Sequence, residues 1–283
     1  GTTSLCELLA QHSEIYFCPE KEPRFFSHDA VYEKGFEYYE NIFKGVKDKK
    51  YKYIGEGSTT YSESWLNRDI KAASRIHKYS PQAKIIYCVR EPLQRIESNW
   101  MDIMWSIDSG ITQTEIIHSG VLNITGNFDE DVRQNQDLVN TSNYWKRLQS
   151  YRNYFEDKNI KIVFFEEFKK SPLSVLQDCC QFLEINSNFQ FQYATTPRNV
   201  SADKGLSTNF GRFARKLPGY HTLAAYSPNF LYTFVQPFVK ERFKNRPIWE
   251  ENTKKWVLEE LRSDLRKFID YCEKPRDFWS SLV

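Results

Sequence analysis

The stretch AKIIYCVREP, residues 83–92, decides the fold of this chain. Its first seven residues form a nearly continuous apolar run, which is typical of a strand buried on both faces of a parallel sheet. Arg90 follows directly, and Pro92 suits the first turn of a helix. The stretch therefore predicts a buried strand that ends at an arginine and is followed at once by a helix to about residue 105.

Strands and helices alternate on both sides of this stretch. Apolar runs predict further strands at 14–18, 51–55 and 160–165. Helical spacing predicts helices at 2–12, 32–44, 64–79, 142–156, 171–183, 228–244 and 249–271. The alternation indicates an α/β fold of three layers, with a central parallel sheet flanked by helices.

Two polar regions are predicted to be irregular. They are 109–140, with a short helix near 113–118, and 186–222. We find no internal repeat and no low-complexity linker, so we expect residues 1–283 to form a single domain.

Composition excludes several classes of protein. The 39 Lys and Arg residues nearly balance the 37 Asp and Glu residues, which argues against a general nucleic-acid binder. No apolar run is long enough for a membrane span. The six cysteines show neither CxxC pairs nor zinc spacing, so we expect reduced thiols in a cytoplasmic protein without a metal. Sequons at Asn123, Asn140 and Asn199 leave the Golgi lumen open as an alternative, if an upstream anchor has been removed.

The chain begins with Gly1-Thr2-Thr3-Ser4 and runs into a predicted helix. Free main-chain N–H groups and the helix dipole favour an anion at such a start. Because Ser and Thr are also ordinary N-caps, the signal is weak when it stands alone. A cradle of this kind normally follows a strand, so we expect a further strand upstream of Gly1.

Other polar residues follow the predicted strands. EKEPRFF, residues 20–26, comes after the first strand, and GEGSTTYS, residues 55–62, after the second. Arg90 follows the strand at 83–89, and Ser98 lies eight residues further on. Open α/β sheets bind ligands at the carboxyl ends of their strands. A guanidinium and a hydroxyl at that edge suit a phosphate monoester.

These motifs, in this order, resemble the sulfotransferases that use 3′-phosphoadenosine 5′-phosphosulfate (PAPS). GTTSL is similar to the family's 5′-phosphosulfate loop, and VREPLQRIESNW to its 3′-phosphate motif. EKEPRFF and GEGSTTYS resemble segments of the heparan-type and bacterial carbohydrate branch. The resemblance continues through 160–185 to RDFW at 276–279 and so covers essentially the whole chain. It implies a P-loop-like fold.

The resemblance also implies the residues that bind PAPS. They are Gly1, Thr2, Thr3 and Ser4 at the 5′ end, and Arg90, Ser98, Lys204 and Gly205 at the 3′-phosphate. We expect Arg95 to be a surface or salt-bridging residue instead. The family's loop lysine would lie two residues before Gly1, and Gly57 stands where heparan-type members often carry a second lysine.

On the acceptor side, the resemblance makes Glu22 the catalytic base, with Glu20 as its rival. A histidine base is a minor alternative. Arg24, Glu56 and Ser58 are assigned to substrate binding, whereas Phe25 and Phe26 are expected in the core.

The implied reaction moves a sulfuryl group from PAPS to a hydroxyl or amine of an acceptor, which EKEPRFF suggests is a saccharide. A small-molecule, lipid or polyketide alcohol is the alternative acceptor. A P-loop kinase and a non-catalytic nucleotide-binding module are rivals from other classes. The sequence lacks GxxxxGK[ST], and the strand at 83–89 ends in Arg90 rather than in Asp, which disfavours the kinase.

Overall fold

The computed structural model describes residues 1–46, 51–109, 124–192, 194, 205–207, 240–242 and 246–282. Its helices are α1 Thr2–Leu9, α2 Asp29–Tyr32, α3 Gly35–Ile42, α4 Arg68–Tyr79, α5 Pro92–Asp108, α6 Phe128–Gln134, α7 Gln136–Asn140, α8 Tyr144–Arg152, α9 Phe165–Lys170, α10 Pro172–Phe182 and α11 Glu251–Tyr271. Its strands are β1 Ile15–Phe17, β2 Tyr53–Gly55, β3 Ile85–Val89, β4 Ile160–Phe164, β5 Gly205–Ser207 and β6 Lys240–Arg242.

Strand pairing is parallel in the main body of the protein. β3 pairs with β4, from Ile85 opposite Ile160 to Val89 opposite Phe164. β1 pairs in parallel with β2, whereas β5 and β6 form an antiparallel pair. A cavity of about 870 Å³ is lined by both β2 and β3. The α/β class and the parallel pairing that the sequence predicts are confirmed.

Side chains of β3 alternate between two hydrophobic clusters. Ile85, Tyr87 and Val89 belong to one cluster, whereas Ile86 and Cys88 contact the other. Successive side chains of a strand point to opposite faces. The two clusters therefore cover the two faces of this strand pair, which gives the expected three layers.

Helix α11 shows why the larger cluster is stable. Val257, Leu261, Leu265 and Phe268 recur every three or four residues, and all four are fully buried. Burial of one such side chain stabilises the fold by about 1.5–3 kcal/mol. The smaller cluster joins α1 to α10 through residues such as Leu5 and Leu176, so the start of α1 is anchored to the body of the domain.

The junction of β3 and α5 fixes the position of Arg90. Pro92 opens α5, and the Glu91 side chain caps it by accepting hydrogen bonds from the N–H groups of Leu93 and Gln94, at 3.3 and 2.7 Å. Capping and proline together set a sharp start to the helix. Arg90 therefore lies directly between β3 and a capped helix. The predicted burial of this strand is wrong in part, because only Val89 is buried and the other four residues are half-buried.

Several sequence predictions are wrong in detail. The described part of 109–140 contains α6 and α7, because Asn127 caps α6 and Phe128, Val132 and Leu138 are buried. The helix predicted at 32–44 is interrupted before Gly35, whose φ of +82° suits glycine. The short helix expected at 113–118 lies outside the described residues.

The carboxyl-terminal half also departs from prediction. Gly205–Ser207 form β5 within a region that is predicted as loop, and Lys240–Arg242 form β6 where a helix is predicted. Cross-strand pairing between distant segments overrides local helical spacing here. None of the helices in the described ranges is both long and apolar enough to cross a membrane.

Candidate active site

Three segments that are distant in sequence meet at the start of α1. They are α1 itself, the turn after β1 and the loop after β2. The ammonium of Lys21 donates to the Thr3 hydroxyl at 2.8 Å, and the Gly57 N–H donates to the Lys21 carbonyl at 3.1 Å. The structure therefore brings the predicted 5′ loop and the predicted base segment together.

Glu22 lies at the centre of this meeting point. One carboxylate oxygen is 2.8 Å from the Lys21 ammonium, and the other accepts a hydrogen bond from the Thr59 hydroxyl at 3.0 Å. The side chain is 21% exposed, so an acceptor can reach it. Lys21 and Thr59 together orient the carboxylate, and its role as the base stays a prediction. Glu20, its rival, is exposed.

The half-buried carboxylate of Glu56 supports the turn that carries Glu22. It accepts hydrogen bonds from the Ser58 and Tyr61 hydroxyls. The Ser58 hydroxyl in turn accepts a hydrogen bond from the main-chain N–H of Arg24 at 2.9 Å. The Tyr61 hydroxyl accepts one from the main-chain N–H of Phe26 at 3.3 Å. Glu56 and Ser58 thus hold the main chain of the turn, and their predicted contact with substrate stays a prediction.

Burial shapes the protonation of this cluster. Desolvation raises the pKa of Glu56 above its ordinary value, although its hydrogen bonds oppose the shift. Desolvation also raises the pKa of Tyr61 well above its ordinary value, so this phenol stays a hydrogen-bond donor. The neutral Tyr61 hydroxyl therefore keeps donating its hydrogen bond to the Glu56 carboxylate.

The turn after β1 has two contrasting faces. Phe25 and Phe26 are 0% and 3% exposed, which confirms that they belong to the core. Arg24 is exposed and its φ is +54°, a left-handed backbone that is uncommon for a residue with a side chain. The turn therefore anchors itself with two aromatic rings and presents one guanidinium to solvent.

Arg90 contains a buried polar atom that lacks a partner. Its Nη2 donates to Gln94 at 3.0 Å, and its guanidinium carbon lies 5.0 Å from the centroid of the Phe165 ring. Among the residues that the structure describes, no carboxylate forms an ion pair with Arg90, and its Nε is buried without a hydrogen-bond partner. Burial and the charge of Arg246 lower the pKa of this guanidinium. A half-buried cation with a buried spare donor suits an anionic ligand.

Gly1 contacts the same aromatic ring. A Cβ atom on Gly1 would lie 2.5 Å from Cδ2 of Phe165, so the backbone approaches the ring as closely as only glycine permits. The guanidinium and the start of α1 are thus neighbours through Phe165.

The remaining predicted cofactor residues lie along α1 and α5. Thr2 lines the large cavity, and Ser4 belongs to the first turn of α1. Ser98 is half-buried on α5, and the backbone strand that contains Gly205 lies against this helix. Lys204 lies outside the described residues.

Arg95 is not exposed, and no carboxylate among the residues that the structure describes forms an ion pair with it, so the prediction of a surface or salt-bridging residue is wrong. Its guanidinium is buried and donates to the Ser142 hydroxyl at 2.6 Å and to the Leu138 carbonyl. These neutral acceptors tie α5 to the α7–α8 connection. Its role in the structure is to hold helices together.

Sequence reasoning missed four contributors to the site: Lys21, Thr59, Gln94 and Phe165. The position of Lys21 between Glu20 and Glu22 gave a signal, because it suggested a local ion pair. Phe165 follows β4 directly, at the same sheet edge as Arg90. The parallel pairing of β4 with β3 could have indicated that Phe165 lies close to Arg90.

The described residues contain no group of three or more His, Cys, Asp or Glu side chains that could hold a metal ion. The described structure thus combines parallel strand pairs with a helix start and a half-buried arginine, an arrangement that is favourable for anions. The chain belongs to the sulfotransferase domain family, whose sequence model matches residues 1–234.

Individual relatives agree with this membership. The chain is 26% identical over 185 residues to heparan sulfate glucosamine 3-O-sulfotransferase 5 of Mus musculus and equally to that of Homo sapiens. The match covers 65% of this chain and 50% of each relative, so the chain spans about half the length of these proteins.

A solved structure supports the fold. It is the crystal structure of a sulfotransferase from Alicyclobacillus acidocaldarius, with a TM-score of 0.62 and 19% sequence identity. The match covers 99% of this chain and 94% of that one.

Proposed function

We propose that this protein transfers a sulfuryl group from PAPS to a hydroxyl or amine of an acceptor, and that the acceptor is a saccharide. The observation that carries the proposal is the shared contact of Arg90 and the start of α1 with Phe165. These residues would hold two anionic ends of one nucleotide. PAPS, when bound, supplies the activated sulfuryl group.

Glu22 is the base in this proposal. Its carboxylate would accept the proton that the acceptor hydroxyl or amine loses. Lys21 and Thr59 hold its two oxygens, which fixes the lone pairs before an acceptor arrives. Catalysis by such a site rests on positioning and on stabilisation of charge.

A saccharide acceptor is supported by two observations. The relatives of matching sequence are named as sulfotransferases of heparan sulfate glucosamine. The exposed guanidinium of Arg24 lies two residues from Glu22 and offers donors to an acceptor that carries acidic groups. An uncharged alcohol would not form an ion pair with this arginine.

Calorimetry with 3′-phosphoadenosine 5′-phosphate (PAP) and with ATP and Mg²⁺ tests the donor. We expect PAP to bind and ATP to be inert, and Arg90→Met to weaken PAP binding. Binding of ATP without PAP would favour the kinase class. Transfer from a labelled donor should then be measured with acidic saccharides and with simple alcohols. PAP binding without transfer to any acceptor would favour a non-catalytic module.

We also propose that a further strand, upstream of Gly1, lies between β2 and β3. Each of these strands pairs on one side only in the described ranges, and both line the cavity of about 870 Å³. A parallel strand between them would satisfy both edges. Hydrogen exchange at 53–55 and 85–89, compared with and without the natural upstream residues, tests this. Unchanged protection would contradict it.

We further propose that residues 1–283 act as one sulfotransferase domain in the cytoplasm. All six cysteines are free, as expected for a reducing compartment. N-glycans on the protein from its natural host would contradict this location and favour the Golgi lumen.

A further inference from the structure

We propose that Lys21 binds the anionic 5′ end of the nucleotide and so supplies the cation that position 57 does not carry. The inference rests on the proposed function, because it takes the nucleotide as the ligand. Lys21 is not among the residues that the sequence motifs assign to binding or catalysis.

The ammonium of Lys21 stands beside the start of α1. It donates to the hydroxyl of Thr3, in the first turn of this helix, at 2.8 Å. The first N–H groups of a helix lack partners within the helix and favour anions. Cys6, on the same helix, lies within electrostatic reach of Lys21. An anion at this helix start would therefore meet the ammonium as well.

Lys21 retains capacity for such a ligand. An ammonium has three N–H donors, and Thr3 and Glu22 engage two of them within the described part of the chain. The side chain is 35% exposed, so a ligand can reach it. Its main chain is fixed, because the Lys21 carbonyl accepts the N–H of Gly57. The cation is thus held in place before a ligand arrives.

The ammonium also separates two negative charges. The Glu22 carboxylate lies 2.8 Å from Nζ, on the side of the turn where an acceptor would bind. An anionic nucleotide beside an uncompensated carboxylate would be repelled. A shared lysine offsets this repulsion, so the base and the nucleotide can be close neighbours.

Position 57 carries no side chain, and a side chain there would collide with Cys6 in this packing. A Cβ atom there would lie 2.5 Å from Sγ of Cys6, and the third nearest atom is also from Cys6. Any side chain at this position requires α1 or Cys6 to shift. Lys21 places its ammonium at the start of α1 from the turn after β1. Its carbonyl accepts the hydrogen bond from the Gly57 N–H.

The test uses three nucleotides that differ only in their phosphates: PAP, 5′-AMP and 3′-AMP. Their binding to the wild type, Lys21→Met and Arg90→Met is measured by calorimetry at fixed salt. Lys158→Met serves as the matched control, because this lysine is 68% exposed and pairs only with Glu156 in the described structure. Thermal midpoints verify folding, and Lys21→Arg is the conservative variant that should restore binding.

We expect Lys21→Met to lower the affinity for PAP and for 5′-AMP by about 10-fold to 100-fold, because a charged hydrogen bond is lost. Its affinity for 3′-AMP should stay within about twofold of wild type, by the same arithmetic. Arg90→Met should show the opposite selectivity, and Lys158→Met should change nothing.

Unchanged PAP binding in a folded Lys21→Met variant would overturn the role of Lys21 and leave the proposed function intact. Equal loss for 3′-AMP and 5′-AMP would also overturn it, since that pattern indicates a general disturbance of the site. If Lys21→Met does not fold, Lys21→Gln and Lys21→Arg provide the same comparison. A wild type that binds none of the nucleotides would reject the proposed function and this inference together.

Discussion

Sγ of Cys6 lies 2.5 Å from the place that a Cβ atom on Gly57 would take. Helix α1 and the loop after β2 therefore contact each other so closely that a side chain at position 57 would require Cys6 to shift. This contact sets how closely the Thr3 turn approaches Glu22 and Lys21. The close packing makes position 57 sensitive to substitution and leads to the first prediction.

Gly57→Ala should destabilise the protein by about 1–3 kcal/mol, because the added methyl group overpacks the contact with Cys6. The same change in a Cys6→Ala background should cost at least about 0.5 kcal/mol less, the coupling expected of touching residues. Urea unfolding of the four proteins in this cycle measures the coupling. Strictly additive effects would mean that the two residues do not compete for the same space.

Glu22→Gln should lower sulfuryl transfer by about 10²–10⁴-fold, the usual contribution of a general base. PAP affinity should be retained, since the amide keeps the shape of the side chain. The matched control is Glu20→Gln, whose exposed side chain lies two residues away and should leave the rate unchanged. Full activity in Glu22→Gln, or loss of activity in Glu20→Gln, would show that a residue other than Glu22 is the base.

Glu56→Gln should change the pH dependence of stability. Burial raises the folded-state pKa of Glu56 above its ordinary value. The wild type therefore loses stability as pH rises from the unfolded pKa through the raised folded pKa. The variant lacks this loss, so its free energy of unfolding should improve relative to wild type between about pH 4.5 and neutral pH. Urea unfolding across this range measures the difference, and a gap that is constant with pH contradicts the prediction.

A buried ion pair away from the site should affect stability without affecting binding. Arg147 lies 2.9 Å from Oδ2 of Asp69, which also accepts a hydrogen bond from Ser150, and the side chains of Arg147 and Asp69 are 6% and 1% exposed. Arg147→Met leaves a buried carboxylate uncompensated and should cost about 3–5 kcal/mol. Chemical denaturation measures this cost. PAP affinity below the unfolding transition should equal that of wild type. Weaker PAP binding by the folded variant would show that this ion pair also affects the site.

The sequence predicts the central elements of the fold well for a physical reason. β3 and β4 are apolar enough to be recognised from composition alone, and Pro92 marks the turn that places Arg90 at the sheet edge. The short strands β5 and β6 have no such signal, because their structure depends on pairing across a long separation.

The candidate site was predictable only in part. Motifs indicated Glu22 and Arg90, but not that Lys21 would bridge Thr3 and Glu22, since this contact depends on how α1 packs against the following turn. The hydrogen bonds from Glu56 through Ser58 to the main chain of Arg24 were equally hidden. Local patterns identify residue types, whereas tertiary packing decides which of them face a ligand and which support others.

The packing of Cys6 against Gly57 also affects how the enzyme withstands oxidation. Burial raises the pKa of the Cys6 thiol to about 12, so almost none of it is thiolate near neutral pH. Peroxides and alkylating reagents attack the thiolate form. The thiol of Cys6, within α1, should therefore react slowly with such reagents.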